Sequence, residues 1–265
     1  MPEINRIYHM DCLNGMKLIN DESIDMILCD LPYGVTARNK WDTIIPFAPL
    51  WIQYERIIKP NGAIVLFGQG MFTARLMISN EKLWRYNLIW GKTQPTGFLN
   101  ANKMPLRNHE DICIFNTDNI PTGSHEDICV FYKKLPMYHP QKTSGHHRKV
   151  SKAEHKLNCK TSTNYENYRF SGYDSTERYP VSILVFAKDT QKSKLHPTQK
   201  PLALCEYLIR TYTNKNDIVL DNCMGSGTTA IACIKSGRSF IGFETESEFV
   251  EVAGQRIKEH VYTME

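Results

Sequence analysis

The fold is decided by a stretch near the end of the chain, Asp217-Ile218-Val219-Leu220-Asp221-Asn222-Cys223-Met224-Gly225-Ser226-Gly227-Thr228-Thr229. Its apolar start predicts a buried strand of a parallel sheet, and its glycines allow the chain to turn from that strand into a helix. The backbone N–H groups of such a turn, together with the helix N-terminus, can receive a carboxylate or another electron-rich ligand group. The stretch therefore predicts a ligand site at the carboxyl end of a strand.

A second strand ends in functional residues near the start of the chain. An apolar run at residues 24–29 is followed directly by Asp30-Leu31-Pro32-Tyr33. At a strand end, Asp30 can accept a hydrogen bond from an amine and Tyr33 can stack on a planar group. We therefore expect one site that binds a cofactor and another that holds a base.

The rest of the chain alternates strands with helices, the pattern of a mostly parallel, doubly wound α/β sheet. Helices are expected near residues 46–59, 72–79, 201–212, 227–235 and 247–258, and further strands near 63–67, 86–90, 181–187 and 240–243. With 265 residues, 42% of them hydrophobic, the chain can form one large α/β domain or a domain with an insertion. Its eight cysteines form no C-x-x-C pair, which favours reduced, buried thiols.

One short segment occurs twice, with an offset of 16 residues. Residues 108–115 recur as residues 124–131 with six of eight positions identical. Two copies do not make a solenoid, and a local tandem duplication explains them most simply. One copy should lie in the sheet and the other in a hairpin or loop, and the sequence leaves open which.

A basic segment interrupts a mildly acidic chain. Residues 133–160 carry a formal charge of +7 in a chain of net +4, so the remainder carries −3. A basic island of this kind favours phosphate binding, because each neutralised phosphate releases counterions. A solvated loop is the alternative. Five tyrosines and phenylalanines at 165–179 favour nucleic acid, and the candidate contacts are Lys142, Arg148, Lys149, Lys152 and Lys156.

Taken together and in order, the motifs resemble the circularly permuted β class of S-adenosylmethionine-dependent amino DNA methyltransferases. That family carries (D/N/S)-(P/L)-P-(Y/F/W) ahead of D-x-F-x-G-S-G-T, with target recognition between them and H-P-T-Q-K-P just before the cofactor strand. This chain has His196-Pro197-Thr198-Gln199-Lys200-Pro201 in that place, and Cys223 where the family commonly has an aromatic residue. The resemblance covers nearly the whole chain, from about Arg6 to the C-terminal helix.

The resemblance implies a Rossmann-like methyltransferase fold, circularly permuted, with an inserted target-recognition region. Residues 1–132 would form the catalytic half, 133–180 the basic target-recognition insert and 181–265 the cofactor-binding half. The implied reaction transfers a methyl group from S-adenosylmethionine to the exocyclic amine of a flipped adenine (N6) or cytosine (N4). Adenine is favoured on the family's general usage.

The resemblance also assigns the site residues. The catalytic residues would be Asp30, Pro32 and Tyr33. The cofactor would be bound by Asp11, Cys12, Asp30, Thr198, Lys200, Asp221, Cys223, Gly225, Ser226, Gly227, Thr228 and Glu244. Asp221 suits the amino-acid end, Lys200 the methionine carboxylate and Glu244 the ribose hydroxyls. Asp11 is equally explained as a helix cap. His196 has no partner at ligand spacing, so no metal is expected.

Other classes fit less well. A phosphate-binding NTPase lacks G-x-x-x-x-G-K-[ST], and a nicotinamide oxidoreductase would leave residues 30–33 unexplained. An RNA or protein amino-methyltransferase and a catalytically silent DNA-binding relative remain alternatives. The expected partner is double-stranded DNA, with no membrane and a cytoplasmic location. The sequence leaves open a homodimer and a cognate restriction endonuclease.

Overall fold

The described residues build one large sheet and one small one. The structure is a computed structural model that describes residues 1–34, 42–92, 125–151, 172–187, 189 and 199–262. The large sheet contains β1 (Arg6–His9), β2 (Ile24–Cys29), β3 (Ile58–Gly68), β4 (Trp84–Lys92), β5 (His125–Phe131), β8 (Ile183–Phe186), β9 (Ile218–Asp221) and β10 (Ser239–Glu244). The small sheet pairs β6 (Lys149–Ser151) with β7 (Tyr173–Ser175).

Six helices complete the described elements: α1 (Cys12–Met16), α2 (Phe47–Ile57), α3 (Met71–Ser79), α4 (Leu202–Tyr212), α5 (Thr228–Ser236) and α6 (Ser247–Tyr262). The five longer ones lie where the sequence predicts helices. β1, α1, β6 and β7, which have three to five residues each, were not predicted. None of the described helices is long and apolar enough to cross a membrane.

The strand order of the large sheet is β1-β10-β9-β2-β3-β5-β4-β8. All neighbours pair in parallel except β5, which is antiparallel to both β3 and β4. The predicted mostly parallel sheet is therefore confirmed. The first strand of the chain, β1, pairs with the last strand, β10. The N-terminal residues therefore add a strand beside those of the C-terminal half.

Both faces of the sheet are buried, because side chains alternate along each strand. On β3, Ile64 and Leu66 belong to one apolar cluster, whereas Val65 and Phe67 belong to the other. Residues of α1, α2 and α3 complete the first cluster, and residues of α4 and α5 complete the second. This double covering explains why the strands read as nearly continuous apolar runs in the sequence.

The second copy of the repeated segment forms β5. Its Ile128 and Val130 are fully buried in one cluster, and Cys129 and Phe131 are fully buried in the other. The first copy, residues 108–115, lies outside the described residues. The structure thus assigns the central strand to residues 125–131.

The chain divides into two compact units. The larger comprises Met1–His139 and Ser182–Glu265, and the smaller comprises Pro140–Val181. The segment 133–139, which the sequence groups with the insert, belongs to the larger unit. Within the smaller unit, β6 and β7 pair in antiparallel fashion, and Thr143 bridges Arg178.

The assignment of β5 can be tested with a matched pair of substitutions. Ile128→Ala removes a fully buried side chain and should lower the free energy of unfolding by about 2–5 kcal/mol. Ile112→Ala, at the equivalent position of the first copy, should change it by less than about 0.5 kcal/mol. Chemical denaturation measures both. Equal destabilisation by the two substitutions would contradict the assignment.

Candidate active site

Three adjacent strands end in acidic residues at one edge of the sheet. β10 ends at Glu244, β9 ends at Asp221, and Asp30 directly follows β2. Because the three strands are parallel neighbours, their carboxyl ends share this edge. Strands lie about 4.8 Å apart, so the row from Glu244 to Asp30 spans about 10 Å.

A cavity of about 620 Å³ is lined by this row of carboxylates. Its volume lies in the range of about 300–1,000 Å³ that is typical of small-molecule sites. Its lining contains most of the predicted site residues: Asp11, Cys12, Asp30, Pro32, Tyr33, Lys200, Asp221, Cys223, Gly225, Ser226, Thr228 and Glu244. Gly227 does not line it. Thr198, together with His196, lies outside the described residues.

Asp30 is held by two donors. The Tyr33 hydroxyl donates to its Oδ1 at 2.8 Å, and Lys200 Nζ donates to its Oδ2 at 2.6 Å. Lys200 is only 8% exposed, and its ammonium lies 5.1 Å from the ring centre of Phe67. The Tyr33 ring in turn packs on Phe72, with 4.8 Å between ring centres. Asp30 is thus fixed in position by an ion pair and by its own motif.

The contact of Lys200 with Asp30 was not foreseen. The sequence predicts that Lys200 meets a cofactor carboxylate, and that contact stays a prediction. Lys200 follows the H-P-T motif and precedes α4, whereas Asp30 follows β2, so the two are 170 positions apart in sequence. No local pattern connects residues at such a separation.

Asp221 is 4% exposed, and its Oδ1 accepts a hydrogen bond from the backbone N–H of Cys223 at 3.0 Å. Burial raises the pKa of Asp221 to about 6, although hydrogen bonds from Thr229, Cys223 and Cys29 oppose the shift. In its ionised form the Asp221 carboxylate can accept a hydrogen bond from a cationic ligand group.

Glu244 organises the glycine turn. Its Oε2 accepts from the N–H of Gly225 at 2.7 Å, and its Oε1 accepts from Thr245 and Glu246 at 2.8 and 3.0 Å. The N–H of Gly227 donates to the carbonyl of Met224. Two N–H groups of the turn are thus engaged within the protein. Thr228 and Thr229, in the first turn of α5, line the cavity together with Gly225 and Ser226.

The last helix clamps the same turn. Arg256 donates to the carbonyl of Ser226 and to its Oγ, the latter at 2.9 Å. Gly227 has φ +81°, and a Cβ built there would lie 2.9 Å from the Cβ of Ala253, one helical turn before Arg256. Arg256 was not among the predicted site residues. The only indication in the sequence was its position three residues after Ala253, on one face of a predicted helix.

The two alternatives for Asp11 prove compatible. Its Oδ1 accepts from the N–H of Asn14 at 2.9 Å, which caps α1, and the residue also lines the cavity. Next to it, the Cys12 thiol hydrogen-bonds the Cys223 thiol, and this contact together with burial raises the pKa of Cys12. The six described cysteines are free thiols.

Other residues of the wall escaped the sequence analysis. The Tyr54 hydroxyl donates to Asn222 Oδ1 at 2.5 Å and so fixes the turn from behind. Asp42 accepts from the N–H of Gly34 at 2.8 Å and lines the cavity beside Tyr33. Phe249 adds an aromatic wall from α6. None of these residues belongs to a motif that the sequence alone makes visible.

A comparison with known families identifies the family of the chain. The family model described as DNA methylase matches residues 24–255 of the chain. The chain belongs to the DNA methylase family.

Similar proteins agree with this assignment. The type II methyltransferase M.HinfI of Haemophilus influenzae is 26% identical, covering 97% of this chain and 69% of the relative. M2.MboI of Moraxella bovis is 29% identical, covering 96% and 87%. The structure of the M1.HpyAVI–SAM complex aligns with a TM-score of 0.57 and 26% identity over 95% of this chain and 98% of that chain. The cytosine-N4-specific PvuII DNA methyltransferase shares the fold, with a TM-score of 0.61 and 16% identity over 96% and 90%.

The predicted family, fold, activity and cofactor are thereby confirmed. This DNA methylase is an S-adenosylmethionine-dependent enzyme that methylates an exocyclic amine of DNA, N6 of adenine or N4 of cytosine. These relatives do not indicate the RNA or protein substrates that the sequence left open.

The cavity of the methylase fits this cofactor chemically. S-adenosylmethionine carries a sulfonium, an ammonium and ribose hydroxyls. The row of carboxylates offers hydrogen-bond acceptors for the ammonium and the hydroxyls and negative charge for the sulfonium. A carboxylate has about four lone-pair positions, and Glu244 uses three of them on backbone N–H groups. One position remains for a ribose hydroxyl. Asp221 offers a buried anion for the ammonium.

The clamp on the glycine turn generates a prediction for the methylase. Gly227→Ala places a Cβ against Ala253 at a positive φ, which costs about 1–3 kcal/mol. We expect weaker binding of S-adenosylmethionine in calorimetry. Gly254→Ala is the matched control, because it adds a methyl group to open space in α6 and should leave affinity unchanged. Normal affinity of Gly227→Ala for S-adenosylmethionine would indicate that this turn does not contact the cofactor.

Proposed function

We propose that Asp30 activates the target amine, adenine N6 in preference to cytosine N4, in a base flipped out of double-stranded DNA. The observation that carries the proposal is that Asp30, with its ion pair to Lys200, lines the same cavity as the glycine turn and Glu244. The carboxylate that would contact the target amine and the turn that would bind the cofactor lie in one cavity. This arrangement suits direct methyl transfer from the cofactor to the base.

The chemistry follows from the exocyclic amine. Its lone pair is delocalised into the ring, which makes it a poor nucleophile. Asp30 accepts a hydrogen bond from the amine, helped by the carbonyl of Leu31 or Pro32, and so localises the lone pair. S-adenosylmethionine supplies the methyl group as an electrophile. Hydrogen bonds from Tyr33 and Lys200 hold the Asp30 carboxylate in place for this contact.

Tyr33 is the stacking surface for the base. Its ring is backed by Phe72 on one side, so its position is fixed before DNA arrives. Extruding a base costs a few kcal/mol, and stacking on an aromatic ring returns about 1–3 kcal/mol. The hydroxyl of Tyr33 holds Asp30 at the same time, which couples the stacking position to the acceptor.

The smaller unit is the proposed DNA-recognition region. Residues 140–181 contain eight Lys and Arg against four Asp and Glu, so the unit carries +4, the net charge of the whole chain. Two predicted contacts are ion-paired there: Arg148 with Asp174 at 2.6 Å and Lys142 with Glu177 at 3.1 Å. Exposed pairs contribute only about 0–1 kcal/mol, so phosphates can compete for both cations. Lys149 is exposed on β6, whereas Lys152 and Lys156 lie outside the described residues.

The cellular setting is inferred from the same relatives. Both M.HinfI and M2.MboI are named type II methyltransferases. We infer that this methylase acts in the cytoplasm on genomic DNA, beside a cognate restriction endonuclease. Sequencing that detects modified bases, applied to cells expressing the methylase, would identify the base and the site. Cytosine N4 marks alone would overturn the preference for adenine.

The role of Asp30 is tested by Asp30→Ala. Loss of the acceptor should lower the rate of methyl transfer by at least about 10²-fold, as expected for a proton acceptor. Binding of S-adenosylmethionine should persist, because the carboxyl ends of β9 and β10 supply its main contacts. Tritiated-methyl transfer and calorimetry measure the two quantities.

Asp30→Asn serves as the control for folding. Asp30→Ala removes the carboxylate that pairs with the buried Lys200, whereas the amide oxygen of Asn still accepts from Lys200. If Asp30→Ala reacts slowly but melts close to the parent and to Asp30→Asn, the loss is assigned to chemistry rather than to folding. Near-normal turnover of Asp30→Ala would refute the role.

The smaller unit can be tested through its salt dependence. Replacing Lys149, Lys152 and Lys156 together by Gln should weaken binding to all DNA sequences. The slope of log affinity against log salt should fall by up to about 0.9 for each lost phosphate contact. Lys133→Gln is the control, because Lys133 belongs to the larger unit and its Nζ donates to the carbonyl of Glu55 at 2.6 Å. An unchanged slope in the triple variant would favour the alternative, in which this segment is a solvated loop that does not bind DNA.

A further inference from the structure

Arg256 is a buried cation without a carboxylate at ion-pairing distance among the described residues. It is 9% exposed, and its hydrogen bonds run to the Ser226 carbonyl and Oγ and, at 3.5 Å, to Thr228 Oγ1. Burial lowers the pKa of Arg256 from its usual range, while Asp189 and Glu259 oppose this at longer range. A charge held this way is costly to bury unless another anion compensates it.

The position of this charge adds to its significance. Arg256 contacts the residues on either side of Gly227, the N-terminal cap of α5, and that helix has no side-chain cap. The N-terminus of a helix is already positive, so a second positive charge there is unfavourable for the helix itself. An anion in front of the turn would compensate both the buried charge of Arg256 and the positive N-terminus of the helix. The residues at that spot, Thr228 and Thr229, face the cavity.

We propose that Arg256 is a positioning residue that holds the Ser226–Thr228 turn and makes the start of α5 selective for the carboxylate of S-adenosylmethionine. It acts through the turn, because it does not itself line the cavity. The inference rests on the proposed placement of the amino-acid end of the cofactor at the glycine turn, and it adds the start of α5 to Lys200 as a predicted partner of the carboxylate. It does not depend on the role of Asp30.

Arg238 shows what a purely structural arginine looks like in this chain. It is partly buried, and it donates to the carbonyls of Ser236 and Thr213 and to Thr213 Oγ1. Its pKa is likewise lowered by burial. Neither of its partner residues lines the cavity. Arg238 therefore matches Arg256 in charge and bonding type but not in place.

The test compares two ligands that differ in one group, S-adenosylmethionine and decarboxylated S-adenosylmethionine, by calorimetry on the full chain. Arg256→Gln keeps a donor for the Ser226 carbonyl and removes the charge. We expect it to bind S-adenosylmethionine about tenfold more weakly, which corresponds to about 1.4 kcal/mol. Its affinity for the decarboxylated ligand should stay within about twofold of the parent or increase.

Three outcomes would overturn the proposal. The first is an equal loss for both ligands in Arg256→Gln, which would indicate a structural role alone. The second is a change of ligand preference in Arg238→Gln, which should lower only the melting temperature. The third is loss of preference in Arg256→Lys, which retains the charge. If Arg256→Gln does not fold, Arg256→Lys and Arg238→Gln decide. Unchanged binding in Gly227→Ala would instead refute the placement of the cofactor at the turn.

Discussion

The parallel register of β10, β9 and β2 is the constraint on which the active site depends. Three strands that run side by side in one direction must end at one edge, and each of these ends in or just before an acidic residue. Glu244, Asp221 and Asp30 therefore stand in a row whose spacing is set by backbone hydrogen bonds rather than by side chains. A flexible loop could not hold three carboxylates in such an order.

A row of carboxylates repels itself, and each member of this row has different surroundings. Glu244 is surrounded by backbone N–H groups. Asp221 is buried with a raised pKa, and Asp30 is paired with Lys200. These surroundings give the three carboxylates different chemical properties: Glu244 is a fixed acceptor, Asp221 is a buried acid and Asp30 is an ion-paired carboxylate. The same motif chemistry thus produces separate functions through its surroundings.

Circular permutation brings the ends of the chain to the site. β1 pairs with β10, so Asp11 arrives beside the strand that supplies Glu244. The C-terminal helix α6 contributes Ala253 and Arg256 behind the glycine turn and Phe249 at the cavity wall. Strand β2, which leads into Asp30, lies between β9 and β3. Residues at both termini therefore support a reaction centred on the middle of the sheet.

The sequence by itself determined most strands of the large sheet, the longer helices and the acidic residues that end β9 and β10 or follow β2, because apolar runs and glycine turns are local patterns. It also determined the family, since three motifs in one order are specific. Only the tertiary structure decided that Lys200 pairs with Asp30, that Glu244 binds the glycine turn and that Arg256 supports it. It likewise decided that the second repeat copy is β5, because two nearly identical segments have the same local preference. The choice between the copies depends on packing between β3 and β4, and such long-range contacts leave no signal in a short stretch of sequence.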